Sequence, residues 1–241
     1  MKAILAGSRQ SIIIRRLSKI SLDQYPHNHT IPVLDIVTFH EQNAKVIVII
    51  EADQTYTRRA HDFRTVAEVY DFATQSLEGL LFMHKLHIAH LDIGRNNIVY
   101  RNSSGRYYFI DFETSYTCSD DPVTHVQSLR MSSNPPPEAG GWLFREKARN
   151  DHEHYVNVDV FAVDVWNLGC LLIDGIEVRV PVRCSLKIET HSGDKRLEKN
   201  LELSVKLVRI RALAESMMKD NPKERPTMRE YITTSWRTER R

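Results

Sequence analysis

The sequence has few cysteines, no long apolar run and almost no net charge. Its three cysteines, Cys118, Cys170 and Cys184, are odd in number and show no C-x-x-C spacing. A disulfide framework and a zinc ribbon are therefore disfavoured, and a reducing compartment is favoured. No stretch approaches the roughly 18 consecutive apolar residues that a membrane span needs. A net charge of +2 indicates neither a nucleic-acid partner nor an acidic substrate.

The N-terminal segment and the overall composition predict an ordinary globular protein. Residues 1–7 resemble the start of a signal peptide, but their apolar run is too short for one. The sequence therefore predicts a cytoplasmic protein, with the nucleus as the alternative. A chain of 241 residues, of which 41% are hydrophobic and 27% charged, is long enough for one large domain or two lobes.

Three polar residues are predicted to gather at one end of a hairpin. Apolar runs at 98–100 and 107–110 flank the turn sequence Asn-Ser-Ser-Gly, which predicts two short strands with a tight connection. Such a hairpin brings Asp111 back beside Asn97, and Asp92 lies on the preceding loop. A carboxylate and an amide on adjacent strand ends can hold Mg²⁺, and a further aspartate can accept a proton from a hydroxyl. These groups suit phosphoryl transfer.

The spacing of these residues resembles that of the protein kinases. The pattern H-x-D-x-x-x-x-N at residues 90–97, followed by D-F-E at 111–113, resembles the family's catalytic loop and metal-binding motif. The resemblance implies that Asp92 orients and deprotonates the acceptor hydroxyl. It also implies that Asn97 takes part in catalysis and, with Asp111, holds the Mg²⁺ ions that bridge the phosphates of ATP. The implied cofactors are ATP and Mg²⁺.

Later landmarks occur in the order that the same family shows. Glu138 ends a Pro-Pro-Glu sequence that resembles the close of the activation segment, and Arg225 lies in a sequence that resembles the family's last motif. The resemblance predicts an ion pair between these two residues. Asp164 begins D-x-W-x-x-G inside an apolar helix, where it is implied to hold the backbone of the catalytic loop. The resemblance extends over residues 10–235.

The implied fold class is α+β, a two-lobed arrangement like that of protein kinases. Residues 1–53 are expected to form a truncated small β lobe without the glycine-rich loop, and residues 54–241 a complete, mostly helical large lobe. Lys2 is either the remnant of the lysine-bearing strand or a solvated lysine at a frayed terminus. The helix expected at 11–17 places neutral Gln10 where the family has the glutamate that pairs with this lysine.

The remaining expectations concern nucleotide contacts and secondary structure. The resemblance implies that Lys2, Glu51, Asp53 and Val99 contact the nucleotide, with Glu51 and Asp53 in the hinge. The β-branched run at 45–50 predicts a strand, and apolar spacing from 65 to 86 predicts a long helix. We expect a polar, variable loop from 179 to 203, and we expect His84 to be a packing or surface residue. The expected partner is a protein, with no nucleic acid and no membrane.

Several positions depart from the family pattern. Leu91 stands where many kinases have an arginine that binds an activation-segment phosphate, so phosphorylation there is not expected to be the main switch. Gly94 replaces the lysine that neutralises the transferred phosphate, with Arg95 one position later. Glu113 replaces the glycine of the metal motif. Losing a fixed charge at the transition state costs about 10²–10³ in rate.

These observations leave three hypotheses. The first is a protein kinase that phosphorylates Ser or Thr with impaired chemistry. The second is a pseudokinase that acts as a nucleotide-binding or scaffold module. The third is a small-molecule kinase of the aminoglycoside or choline type, which D-F-E at 111–113 favours and Glu138, Asp164 and Arg225 disfavour.

Overall fold

The fold combines a small antiparallel sheet with a larger helical part. A computed structural model describes residues 2–21, 24–38, 45–50, 56–57, 63, 65–118, 123–127, 135–140, 155–177 and 195–231. The helices are α1 (Arg9–Leu17), α2 (Val66–Lys85), α3 (Val160–Glu177), α4 (Lys195–Met217) and α5 (Met228–Tyr231). The strands are β1 (Lys2–Leu5), β2 (Val33–Thr38), β3 (Lys45–Ile50), β4 (Tyr56–Thr57), β5 (Ile88–Ala89), β6 (Ile98–Arg101), β7 (Arg106–Phe109), β8 (Tyr116–Thr117), β9 (Val123–Gln127) and β10 (Tyr155–Asp159).

The N-terminal part is a three-stranded sheet with one helix packed on it. Strand β3 pairs antiparallel with both β1 and β2, so that β3 is central. Helix α1 begins at the N-cap Ser8, whose hydroxyl accepts a hydrogen bond from the amide of Ser11. Its buried face includes Ile13, Ile14 and Leu17. The strand expected at 45–50 and the helix expected at 11–17 are both confirmed.

The C-terminal part is built on long helices. Helix α2 begins with a capping box in which Thr65 and Glu68 bond each other's backbone amides, and it buries the predicted apolar stripe. Helices α3 and α4 pack closely at Gly169, where an added Cβ would lie 2.9 Å from the Cγ of Met218 and 3.0 Å from the Cβ of Met217. Among the described helices, none combines the length and the apolar character required to span a bilayer.

The expectations on fold have mixed outcomes. The α+β character and the helical C-terminal part are confirmed. The loop expected at 179–203 is wrong for residues 195–203, which form the first turns of α4. Strong helix formers in this stretch extend a helix whose later turns bury Ile210, Leu213 and Met217. The lobe boundary at 53/54 lies outside the described residues, and truncation of the small lobe stays a prediction.

Candidate active site

The hairpin that carries the polar residues is confirmed. Strands β6 and β7 pair antiparallel from Ile98 opposite Phe109 to Arg101 opposite Arg106. Gly105 completes the turn with φ of +65°, a conformation that glycine adopts without strain. Just beyond the paired residues, the amide of Ile110 donates to the carbonyl of Asn97 over 2.9 Å. The hairpin therefore ends with Asn97 on one strand and Asp111 leaving the other.

Asp92 and Asn97 are held together by hydrogen bonds. The Nδ2 of Asn97 donates to the Oδ2 of Asp92 over 2.6 Å and to the backbone carbonyl of Asp92 over 2.8 Å. These bonds fix the orientation of both side chains. Because Nδ2 faces Asp92, the Oδ1 of Asn97 is the atom that can bind a cation.

Asp111 lies against the N-terminal sheet. The Nζ of Lys2, on β1, forms a 2.5 Å ion pair with the Oδ1 of Asp111. The two side chains are 37% and 40% exposed, so a ligand can reach the pair from solvent. Lys2 is thus a partner of Asp111 and not a frayed, solvated lysine. No local pattern could predict this contact, because 109 positions separate the two residues.

His90 supports the loop from inside the core. Its side chain is fully buried, and its Nε2 donates to the carbonyl of Ile110 over 3.0 Å. Its Nδ1 accepts from the amide of Asp92 over 3.3 Å. The hydroxyls of Thr114 and Ser115 both donate to its carbonyl over 3.1 Å, two contacts that the sequence analysis missed. His90 therefore ties the loop before Asp92 to the segment around Asp111.

Asp164, on α3, anchors the backbone of the same loop. It is fully buried, and its two oxygens accept from the amides of His90 and Leu91, each over 2.7 Å. The Nε2 of His84 lies 3.1 Å from its Oδ2. Hydrogen bonds of this kind are what allow a carboxylate to be buried. The predicted contact is confirmed, whereas the contribution of His84 was not expected.

A second buried carboxylate contact joins distant parts of the chain. Arg225 binds both oxygens of Glu138 over 2.6 Å, and its side chain is only 1% exposed. Its Nη1 also donates to the carbonyl of Ala162, and its guanidinium stacks 4.9 Å from the ring centroid of Trp166. The predicted ion pair is confirmed with bidentate geometry, the arrangement that suits Arg and a carboxylate.

The departures from the family pattern have structural counterparts. Leu91 is 2% exposed and packs in an apolar cluster that includes Val158 and Val163. Arg95 extends to Asp174 on α3, with 3.3 Å between Nη2 and Oδ2. Burial of Leu91 among apolar side chains makes it part of the packing under the loop. The contact of Arg95 with Asp174 turns its charge toward α3.

The remaining predicted residues are only partly described. Val99 lies on β6 opposite Tyr108 and packs against the main core. Glu51 and Asp53, the expected hinge residues, lie outside the described part of the chain. Gln10 is buried at 7% exposure, and its Nε2 has no hydrogen-bond partner among the described groups.

Comparison with known proteins agrees with this geometry. A family model described as the protein kinase domain matches residues 18–237. The chain belongs to the protein kinase family. The chain is 26% identical over 221 residues to the serine/threonine-protein kinase pim-2 of Danio rerio. That match covers 88% of this chain and 63% of the relative, so the chain spans less than two thirds of the relative's length.

Family membership accounts for the arrangement around Asp92. A protein kinase has a two-lobed fold, and its reaction uses ATP and Mg²⁺. The N-terminal sheet with α1 and the helical part built on α2 and α3 correspond to the two parts of that fold. The residues of the H-x-D and D-F-E motifs lie where these two parts meet, with Lys2 contacting Asp111 across them.

Proposed function

We propose that this chain transfers the γ-phosphate of ATP to a Ser or Thr hydroxyl of a protein substrate. The observation that supports the proposal best is the grouping of three side chains. Asp92 is hydrogen-bonded to Asn97, and Asp111 directly follows Ile110, whose amide bonds the carbonyl of Asn97, and pairs with Lys2. The name of the pim-2 relative supports Ser/Thr specificity.

The donor set suits a hard cation and a phosphate. The oxygens of Asn97 and Asp111 are the ligand type that Mg²⁺ prefers, so these residues would hold the metal. Bound Mg²⁺ neutralises charge on the phosphates during transfer. Asp92, fixed by Asn97, would orient the acceptor hydroxyl and take its proton. Lys2, Val99, Glu51 and Asp53 would contact the nucleotide.

The second candidate function is that of a pseudokinase, and one contact favours it. Arg95 is the basic residue nearest to Asp92 in the catalytic loop, and it pairs with Asp174. A cation aimed at the transferred phosphate is worth about 10²–10³ in rate. The small-molecule kinase is disfavoured, because the Glu138–Arg225 pair belongs to the protein kinase pattern.

We also propose that the kinase acts in the cytoplasm or the nucleus on a protein partner. Cys118 and Cys170 are free thiols in the structure, which fits a reducing compartment.

Calorimetry of ATP binding with Mg²⁺, together with phosphate transfer to casein, tests these functions. The variants are Asp92→Asn and Asp111→Asn, since Asn also adopts the left-handed backbone of Asp111. An active kinase binds ATP, loses transfer in Asp92→Asn because the acceptor hydroxyl is no longer deprotonated, and loses transfer in Asp111→Asn because the carboxylate that would hold Mg²⁺ is gone. Binding without transfer in the unmodified protein would assign it as a pseudokinase. Absence of ATP binding would refute the kinase function and would also refute a pseudokinase that binds nucleotide.

A further inference from the structure

A buried glutamine lies beside the ion pair of the candidate active site. Gln10 on α1 lines a cavity together with Lys2 and Asp111, and the rest of the wall is apolar: Ile14, Leu17, Ile31, Val33 and Phe112. Gln10 is only 7% exposed, and its Nε2 lacks a partner among the described groups. A buried donor without a partner is costly, so its presence calls for an explanation.

The neutrality of Gln10 determines which anion is available to Lys2. Lys2 lies on the inner side of β1, as does the buried Ile4 two residues later. From there its ammonium reaches the Oδ1 of Asp111. An amide at position 10 carries no charge that could compete for this ammonium. A carboxylate at position 10 would lie in the same cavity and would attract Lys2 away from Asp111.

We propose that Gln10 directs Lys2 to Asp111, so that the kinase binds nucleotide with little dependence on Mg²⁺. This inference rests on the proposed function. The Lys2–Asp111 pair is neutral as a unit, so triphosphate can approach without a metal ion to mask the carboxylate. Mg²⁺ must in turn compete with the ammonium of Lys2 for Asp111. Both effects reduce the gain in nucleotide affinity that Mg²⁺ provides.

The first test compares nucleotide affinity with and without the metal. The Kd of the non-hydrolysable analogue AMP-PNP is measured by calorimetry in EDTA and in Mg²⁺, and the ratio of the two values is the readout. In Gln10→Glu the ratio is expected to rise about five- to tenfold, because Asp111 is then an uncompensated carboxylate. In the control Gln10→Met, which stays neutral, it remains that of the unmodified protein. An unchanged ratio in Gln10→Glu overturns the proposal.

The second test needs no ligand and keeps the proposal separate from the proposed function. Thermal unfolding is measured for Gln10→Glu in the native background and in the Lys2→Met background. We expect a larger loss of Tm in the second, because the buried carboxylate introduced at position 10 then has no cation. Equal losses of Tm in the two backgrounds would show that Lys2 does not pair with a carboxylate at position 10, and they would overturn the proposal. A larger loss in the Lys2→Met background, in a protein that binds no AMP-PNP, would support the effect of position 10 on the pairing of Lys2 and would refute the proposed function.

Discussion

The Glu138–Arg225 pair makes a quantitative prediction about stability. Glu138→Ala removes both carboxylate oxygens from a guanidinium whose side chain is 1% exposed. The carbonyls of Lys219 and Ala162 still accept from Arg225, but its charge is left without a counter-ion. Breaking a buried ion pair by removing one partner costs about 3–5 kcal/mol. For a chain of this size, this corresponds to a fall in Tm of roughly 6–20 °C.

The assay is thermal unfolding followed by circular dichroism, with a surface pair as control. Arg211 and Glu215 form an i,i+4 pair on α4 whose side chains are 51% and 61% exposed. Arg211→Ala should cost no more than about 0.5 kcal/mol, because water and salt screen such a pair. If Glu138→Ala lowered Tm only as much as Arg211→Ala, the argument from burial and bidentate geometry would be refuted.

Three further predictions concern other described groups. Asp164→Asn should lower the free energy of unfolding by about 1–3 kcal/mol and reduce phosphate transfer, because the NH₂ group of the new side chain then faces a backbone amide. Urea unfolding measures the first effect, and phosphate transfer to casein measures the second. Burial, with the nearby Asp174, raises the pKa of the Cys170 thiol from 9.0 to about 11. Alkylation of this thiol at pH 8 should therefore be about a hundredfold slower in the folded protein than in the unfolded chain, and mass spectrometry of peptides measures the two rates. This rise in the pKa of Cys170 contributes to the stability of the fold below pH 9, and the contribution is lost as pH rises toward 11. The urea midpoint of unfolding should therefore fall over that range. Because Leu91 is buried among apolar side chains, replacing the Ser and Thr residues of 117–134 by Ala should leave transfer within about threefold of the unmodified value; a complete loss would contradict this reasoning.

Local sequence signals predicted much of the fold and the hairpin. The turn before Gly105 and the flanking apolar runs specify two paired strands, because strand pairing across a tight turn depends on neighbouring residues. The apolar spacing of α2 likewise reports one buried face. The contacts of Asp164 and the Glu138–Arg225 pair span more than 70 positions, and only the resemblance to a family could indicate them.

Contacts without a local signal or a family precedent could not be predicted. His84 ends the apolar stripe of α2, and nothing in its neighbourhood indicates a bond to Asp164 on another helix. The apolar surroundings of Leu91 include residues of β10 and α3, which the chain reaches only after about 65 further residues. The start of α4 was missed because charged residues are compatible with both an exposed helix and a loop.

The backbone around Asp92 limits how this protein could be made more stable. His87, Leu91 and Asp111 have φ of 54°, 63° and 63°, and they are the described non-glycine residues with positive φ. A left-handed backbone costs an ordinary residue roughly 1–2 kcal/mol. Glycine would relieve this strain, but at Leu91 it would empty a packed cluster and at Asp111 remove the carboxylate. Only the exposed His87 could be exchanged freely, so thermal robustness and chemistry compete for the same few backbone positions.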